Sequence, residues 1–470
     1  MASLDSLFSV GRSAILAQQA AVQVAGHNIA NAETPGYTKE VVDLSASVPE
    51  RTAQGTFGTG VSIVNVTSAR DVLLSQDVRT QNAPAANYKT RADLLGRVES
   101  VLGDPSNNTL STAISNFFNS WSDLSSNPAT SSSKTVVQQR AVTLISAFNN
   151  YAGQLSAVGT STRNALSQTV TTINSLAQKI ADINKLIVPA ESGGQTANDL
   201  RDQRDQLLDQ LSSQVPITVL DRKDGSNQVL VGGLSIVDGS DAKSLTLGGA
   251  ALTTVAITGS SDVMRNVGGT LGAQLDFLNT DLPAAKAGLD TLAASIVTDV
   301  NAIHETGWSP TAGAAGNWNP ASGPTGSGVD FFDPLPANAT AQNIRLSGTV
   351  AADANAIASG NVQNGPGDNS VALSVAALRD FSPSAPGNSI SAAFQTLVSN
   401  VAVEKNTADQ SATVYQTLAD QSSQRRQSAT GVSTDEELIK VIRFQQAYIA
   451  AGKFLKTVDD MSQSLLQIAG

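Results

Sequence analysis

The stretch Ala25–Val42, AGHNIANAETPGYTKEVV, decides where the first helix of this chain ends and in which direction the backbone leaves it. Asn28 and Asn31 carry short polar side chains that hydrogen-bond local backbone groups, which favours a helix terminus over a helix interior. Pro35 has no N–H to donate, and its ring clashes with the turn before it, so the helix stops upstream. Pro35-Gly36 suits the two central positions of a type II turn, the second of which needs the positive φ that glycine adopts freely. Beyond Tyr37 the chain is expected to run extended.

Upstream of that stop, Leu4, Phe8, Gly11, Ile15, Val22, Ala25 and Ile29 recur at steps of four and three, with the polar Gln18 in the gap. This is the stripe of a helix that packs along another helix. The far end of the chain repeats it: Val441, Phe444, Tyr448, Ala451, Leu455, Val458, Ser462 and Leu465 keep the same rhythm almost to Gly470. Neither terminal helix has a helical neighbour within loop distance. Each apolar face therefore needs a partner from elsewhere, the other terminus or another subunit, because an isolated amphipathic helix has little stability of its own. Both stripes are expected to form a terminal-helix interface.

Between the termini the helical period continues from Ala69 to Leu102, through Leu166, Val170, Ile173, Ile180, Ile183 and Ile187, and from Asn198 to Leu211. At Pro216 it gives way to short β-like runs, Ile217–Leu220, Gln228–Val231, Leu234–Val237, Leu245–Leu247 and Val255–Ile257, separated by Asp224-Gly225, Asp238-Gly239 and Gly248-Gly249 turn signals. It resumes from Leu271 to Ile303 and again from Ala392 to Ser423. Residues Trp308–Gly328 are too rich in Gly, Pro, Ser, Ala and Asn to bury much surface and read as an exposed loop, after which Phe331 and Phe332 re-anchor the chain. The fold class expected is mainly α with an inserted β-rich domain. Its parts are a terminal-helix domain (1–60 and 431–470), a discontinuous helical domain (61–215, 266–306 and 370–430) and a β-rich and loop domain (216–265 with 307–369).

Composition narrows the function. The 470 residues carry a formal net charge of -11, which disfavours nucleic acid and anionic membranes as partners. No apolar run reaches the length of a membrane span, and the first residues lack the pattern of a cleaved secretory signal, so neither membrane insertion nor leader cleavage is expected. With no cysteine, thiolate chemistry and Cys-based metal sites are excluded. Aromatic residues make up only 4%, so the bulky anchors of deep pockets are scarce. His27 and His304 are isolated from each other in sequence, and no H-E-x-x-H, G-x-S-x-G or phosphate-loop pattern occurs. The glycines at 55, 58 and 60 lack dinucleotide-binding spacing and read as a loop. Asp435, Glu436 and Glu437 could serve acid–base chemistry, but before an apolar helical run they read as first-turn charges favoured by the helix dipole. No enzyme activity, cofactor or metal is expected.

Taken as a set, Asn28-Ile29-Ala30-Asn31 followed by Thr34-Pro35-Gly36-Tyr37 resembles the N-terminal signature of the flagellar rod, hook and hook-associated proteins, where it also follows the first helix. Gly431, Val432, Asp435, Glu436 and Glu437, with Gln445 to Tyr448, resemble the last helix of the hook-associated branch; the Ser-Asn-Val-Asp-like sequence of hook and rod subunits is not found before it. Asn198 to Asp205 is similar to that branch's helix leading into an outer β-rich domain. Read without the family, the same run is a solvated helix whose acids and bases pair at i,i+3. Ser433-Thr434 depart from the family pattern, and the β-rich stretch matches none of its motifs.

What the resemblance implies is a rod-like subunit. Its terminal helices would pair as a coiled-coil-like inner domain, with a helical bundle beside it and the β domain outward. Asn28, Ile29, Asn31, Thr34, Pro35, Gly36 and Tyr37 would form the assembly motif. Such a subunit is secreted to the extracellular flagellum and polymerises between hook and filament. The implied partners are identical subunits, the hook protein, the next hook-associated junction protein, an export chaperone on the C-terminal helix and the flagellar type III export apparatus. Two other readings stay open: a hook or distal rod subunit, and a flagellum-displayed adhesin or enzyme active in the outer domain.

Overall fold

The computed structural model describes residues 4–52, 55–103, 110–249, 253–259, 264, 267–309, 328–333, 340–362 and 365–469. Helix α1 (Leu4–Ala30) opens the chain. An antiparallel hairpin follows, in which β1 (Glu40–Ala46) pairs with β4 (Val61–Ser68) from Glu40↔Ser68 to Ala46↔Val61, with a register shift after Asp43. Short β2 (Glu50–Thr52) and β3 (Gly55–Phe57) pair at its far end, where the sequence suggested only a glycine-rich loop.

The body begins with α2 (Val72–Leu102), capped by Asp71, whose Oδ1 accepts the N–H groups of Leu73 and Leu74 at 2.9 and 3.0 Å. Then come α3 (Leu110–Ser126), α4 (Ser131–Glu191) and α5 (Asn198–Gln214). The 61 residues of α4 make a rod about 90 Å long at the helical rise. Strands β5 (Thr218–Asp221), β6 (Asn227–Val231), β7 (Leu234–Asp238) and β8 (Asp241–Ala242) form an antiparallel sheet in chain order, and β9 (Leu245–Gly248) pairs with β10 (Thr254–Ile257). Next, α6 (Gly269–Asp276) runs through a π turn at Phe277–Asp281 into α7 (Leu282–His304). Short α8 (Gly348–Ala352) and α9 (Ser370–Ala377) precede the long α10 (Ile390–Thr430) and α11 (Thr434–Ala469).

One continuous apolar core extends from Leu94 to Val401 and joins the strands to α4 through Val229, Val231, Ile236 and Val237. Among the described residues it takes nothing from α1 or α11. Phe331 and Phe332 do re-anchor the chain, but within the helical core: Phe117 lies 5.8 and 5.9 Å from their ring centroids, and Trp121 lies 5.3 Å from Phe331. The stretch 307–369, grouped above with 216–265 on composition, thus sends its two large aromatics to the helices, where they bury most area. His304 sits in the same cluster. Its Nδ1 donates to Val329 O at 2.6 Å and its Nε2 accepts the Ala358 N–H at 2.9 Å, an arrangement only the neutral ring can make. Residues 310–327, most of the expected exposed loop, lie outside the described residues.

Candidate functional site

Helices α1 and α11 pack against each other along their lengths, which supplies the partner each stripe lacked. The fully buried positions of α1 are small: Gly11, Ala17, Ala21 and Ala25, with Asn28 at the end. Leu4, Phe8, Ile15, Val22 and Ile29 are only half-buried, flanking this line. A Cβ at Gly11 would fall 2.5 Å from Leu455 Cδ2, so Leu455 occupies the space a side chain on α1 would need. On α11, Val458 is buried and Val441, Phe444 and Leu455 are half-buried. Tyr448 and Leu465, expected in the seam, stand 45% and 51% exposed. The straight 3.6-residue helix drifts off a strict heptad by about 20° per repeat, which carries some large residues of the stripe onto its rim. A second row on α11 faces away from the seam: Leu438, Ile442 and Ile449 are all exposed.

The joint between this helix pair and the body is built around the stretch that ends α1. The Asn31 N–H donates to His27 O at 3.1 Å, closing the last turn. The Tyr37 N–H donates to Thr34 O at 3.2 Å across Pro35 and Gly36, whose φ of +77° is the one a type II turn requires. Thr34, Pro35 and Gly36 are exposed, whereas Asn28 is 1% exposed. The Asn28 amide uses its full capacity: Nδ2 donates to Glu40 O at 2.9 Å and Glu437 Oε2 at 3.2 Å, and Oδ1 accepts from Tyr37 Oη at 2.8 Å and Glu40 N at 2.9 Å. One side chain thereby ties α1 to β1 and to the first turn of α11. Glu437, read above as a first-turn charge favoured by the helix dipole, does stand in the first turn of α11; it is 2% exposed there and also accepts from Lys440 Nζ at 2.6 Å.

Burial, and then the surrounding carboxylates of Glu40, Asp199, Asp202 and Glu437, push the Tyr37 phenol well above its usual range, so it stays protonated and donating. Its ring stands edge-on to His27 at 5.6 Å. Asn198 Nδ2 donates to Glu40 Oε1 at 2.8 Å and to Val66 O at 3.0 Å. The donor atoms of His27, Glu40 and Asp199 lie within 4.8 Å of one another. Glu40 is already engaged there, with Oε2 3.3 Å from His27 Nδ1 and Oε1 held by Asn198, so the group closes the joint by hydrogen bonds. Asp202 Oδ2 accepts the Thr38 N–H at 2.8 Å, and burial pushes this carboxyl up to about 6. Glu40, Asn198, Asp202 and Glu437 were not singled out from sequence as partners of the motif. A buried asparagine with four bonds to satisfy is the signal that points to them.

Residues 95–317 match the model for the flagellar hook-associated protein FlgK helical domain. Residues 423–468 match that for the flagellar basal body rod FlgEFG protein C-terminal, and residues 8–38 that for the flagella basal body rod protein. The flagellar hook-associated protein 1 of Bacillus subtilis is 28% identical over 506 aligned positions, spanning 98% of this chain and 97% of the relative. Its namesake in Salmonella typhimurium is 25% identical over 99% of this chain and 100% of its own. The solved structure of the flagellar hook junction protein FlgK from Burkholderia pseudomallei aligns over 50% of this chain and 45% of that one, with 27% identity and a TM-score of 0.46.

Proposed function

The chain belongs to the hook-associated branch of the flagellar rod and hook proteins, and on that premise we propose that it is a structural subunit of the junction between hook and filament. The observation that carries this reading is the uncovered row Leu438, Ile442 and Ile449 on α11, which remains exposed after α1 has taken the opposite side of the helix. Apolar area of that kind on a solitary protein costs solubility, and a neighbouring subunit removes it from water. The terminal helices (1–60 and 431–470) form the inner, polymerising part. The helical segments 61–215, 266–306 and 370–430 lie beside it, with Phe331 and Phe332 anchored among them, and the β-rich stretch 216–265 turns outward. The stripes and the Asn28–Tyr37 motif serve assembly with identical subunits, the hook protein and the next hook-associated protein. Before export through the flagellar type III apparatus, a chaperone covers α11, and the protein ends in the extracellular flagellum.

Replacing Ile442 and Ile449 together by Asp in a strain lacking the native copy tests this. Both side chains point away from α1, so the purified variant melts like the parent and is exported, yet filaments fail to attach. Attached filaments of normal length would remove the uncovered row from the assembly surface.

A further inference from the structure

Helix α5 carries the run Asn198–Asp205 whose acids and bases could pair with each other along the helix, and they do not. Arg201 turns to Glu191, with Nε 2.7 Å from Oε1, and buried Arg204 Nη1 donates to Asn184 Oδ1 at 2.9 Å and Gly225 O at 2.7 Å. The acids Asp202, Asp205 and Asp209, spaced three and four apart, share another face.

The chain leaves the terminal helix pair near residues 37–40, enters the body from the β1–β4 hairpin near 68–72 and returns to the pair near 430–434, and each of these crossings is gripped by one of the three acids. Asp202 Oδ2 accepts the Thr38 N–H at 2.8 Å. Asp205 pairs with Arg70, between β4 and α2, and with Arg79 Nη2 of α2 at 2.8 Å. Asp209 pairs with Arg79 Nε at 2.9 Å and with Arg426 Nη1, just before the end of α10, at 2.6 Å. The crossings are also bonded to one another, Lys39 N–H to Thr430 O at 2.9 Å and Ala69 N–H to Lys39 O at 2.8 Å. Side-chain exposure in this ionic chain runs from 8% at Arg79 to 23% at Arg426, so its charges are far less screened than surface pairs. Its arginines stand on α2, on the segment that enters α2 and near the end of α10, beside a joint that the main apolar core does not reach.

We propose that the Asp202–Asp205–Asp209 face of α5 is a positioning clasp that sets the angle between the terminal helix pair and the helical body. A polymer of one subunit needs a single value of that angle in every copy. Packing cannot set it here, because the joint holds polar groups where the body holds a core. Directional carboxylate bonds on three crossings at once, ion pairs at two and an N–H bond at the third, fix it instead. The inference concerns the free subunit and stands independently of what the assembled chain joins.

The absence of cysteine allows a clean distance measurement on the full chain, with Gln19→Cys on α1 and Lys185→Cys near the end of α4, both exposed, as sites for two spin labels. Asp205→Asn with Asp209→Asn is expected to broaden and shift the label-to-label distance distribution while the body keeps its melting temperature. Asp205→Glu, which keeps the charge, is expected to restore a narrow distribution when paired with native Asp209. An unchanged distribution in the double variant overturns the proposal. If the double variant melts the body as well, Arg426→Gln decides, since it removes only the grip on the exit from α10: broadening supports the clasp and an unchanged distribution overturns it.

Discussion

Gly36 shows how one residue aims a whole element. At φ +77° a Cβ would be strained and would also fall 2.5 Å from Gln206 Nε2, whose amide donates to Pro35 O. An L-residue in that region costs about 1–2 kcal/mol before any clash, and a β-branched one more. Gly36→Val is therefore expected to redirect the exit from α1 and lower motility, while the body, whose core does not include the turn, melts unchanged; normal motility would show that the turn tolerates another conformation. This turn was legible in sequence because its chemistry is local. Asn28 was legible only as a helix terminator, since three of its four bonds go to Glu40 and Glu437, residues that pairing in space alone brings near. His304 is the second decisive residue. Burial holds its imidazole down at about 4, so the folded ring stays neutral where the unfolded one takes a proton. The unfolded state then binds more protons between the ordinary imidazole value and about pH 4, and stability falls as pH drops through that window, by on the order of 3 kcal/mol in full. Proton NMR checks it directly, because the chain has only two histidines: the His304 ring should remain neutral at pH 5.

At the scale of elements, the helices were readable and their faces were not. Both terminal helices, the five strand runs after Pro216 and the resumed helix through Leu271–Ile303 stand where the periodicity put them, because apolar spacing reports the local period. The hairpin β1–β4 was visible only as an extended stretch. Its exposed Val41, Leu44, Ile63 and Val64 give no alternating apolar face to read. The stripe of α1 was legible in period but not in which side chains lie at its centre, because close approach through Gly11, Ala17, Ala21 and Ala25 favours small residues over the larger ones beside them. That geometry sharpens the expectation for Leu455, which lies against Gly11. Leu455→Asp places a carboxylate between two helices and is expected to cost about 3 kcal/mol, the order of a large core truncation. Unlike Ile442→Asp with Ile449→Asp, it should separate α1 from α11 in the free subunit, seen as lost helical circular dichroism, and abolish filament attachment. Gln463→Asp, on an exposed position of the same helix, should do neither. Retained helicity and attached filaments in Leu455→Asp would place the seam elsewhere.

Across the whole molecule, stability is divided unevenly. The body closes on a continuous core running from Leu94 to Val401, with Trp121, Phe117, Phe148 and Phe277 fully buried. The terminal pair is held by a seam whose buried apolar side chains are Ala17, Ala21, Ala25 and Val458, and each buried alanine contributes far less than a buried leucine or phenylalanine. Local opening free energies in one protein range from near zero to the global value, and regions with little buried apolar area occupy the low end. The pair should therefore open while the body stays closed. Hydrogen exchange read by mass spectrometry on the free subunit is expected to show peptides of α1 and α11 exchanging well before those of α3, α4 and α7. In the assembled state a neighbour covering Leu438, Ile442 and Ile449 adds area to the same helices, so the terminal peptides should gain protection on assembly and the body peptides little. If α1 and α11 exchange as slowly as α4 in the free subunit, the seam is far stronger than its alanines allow, and assembly would not be what completes the fold of the two chain ends.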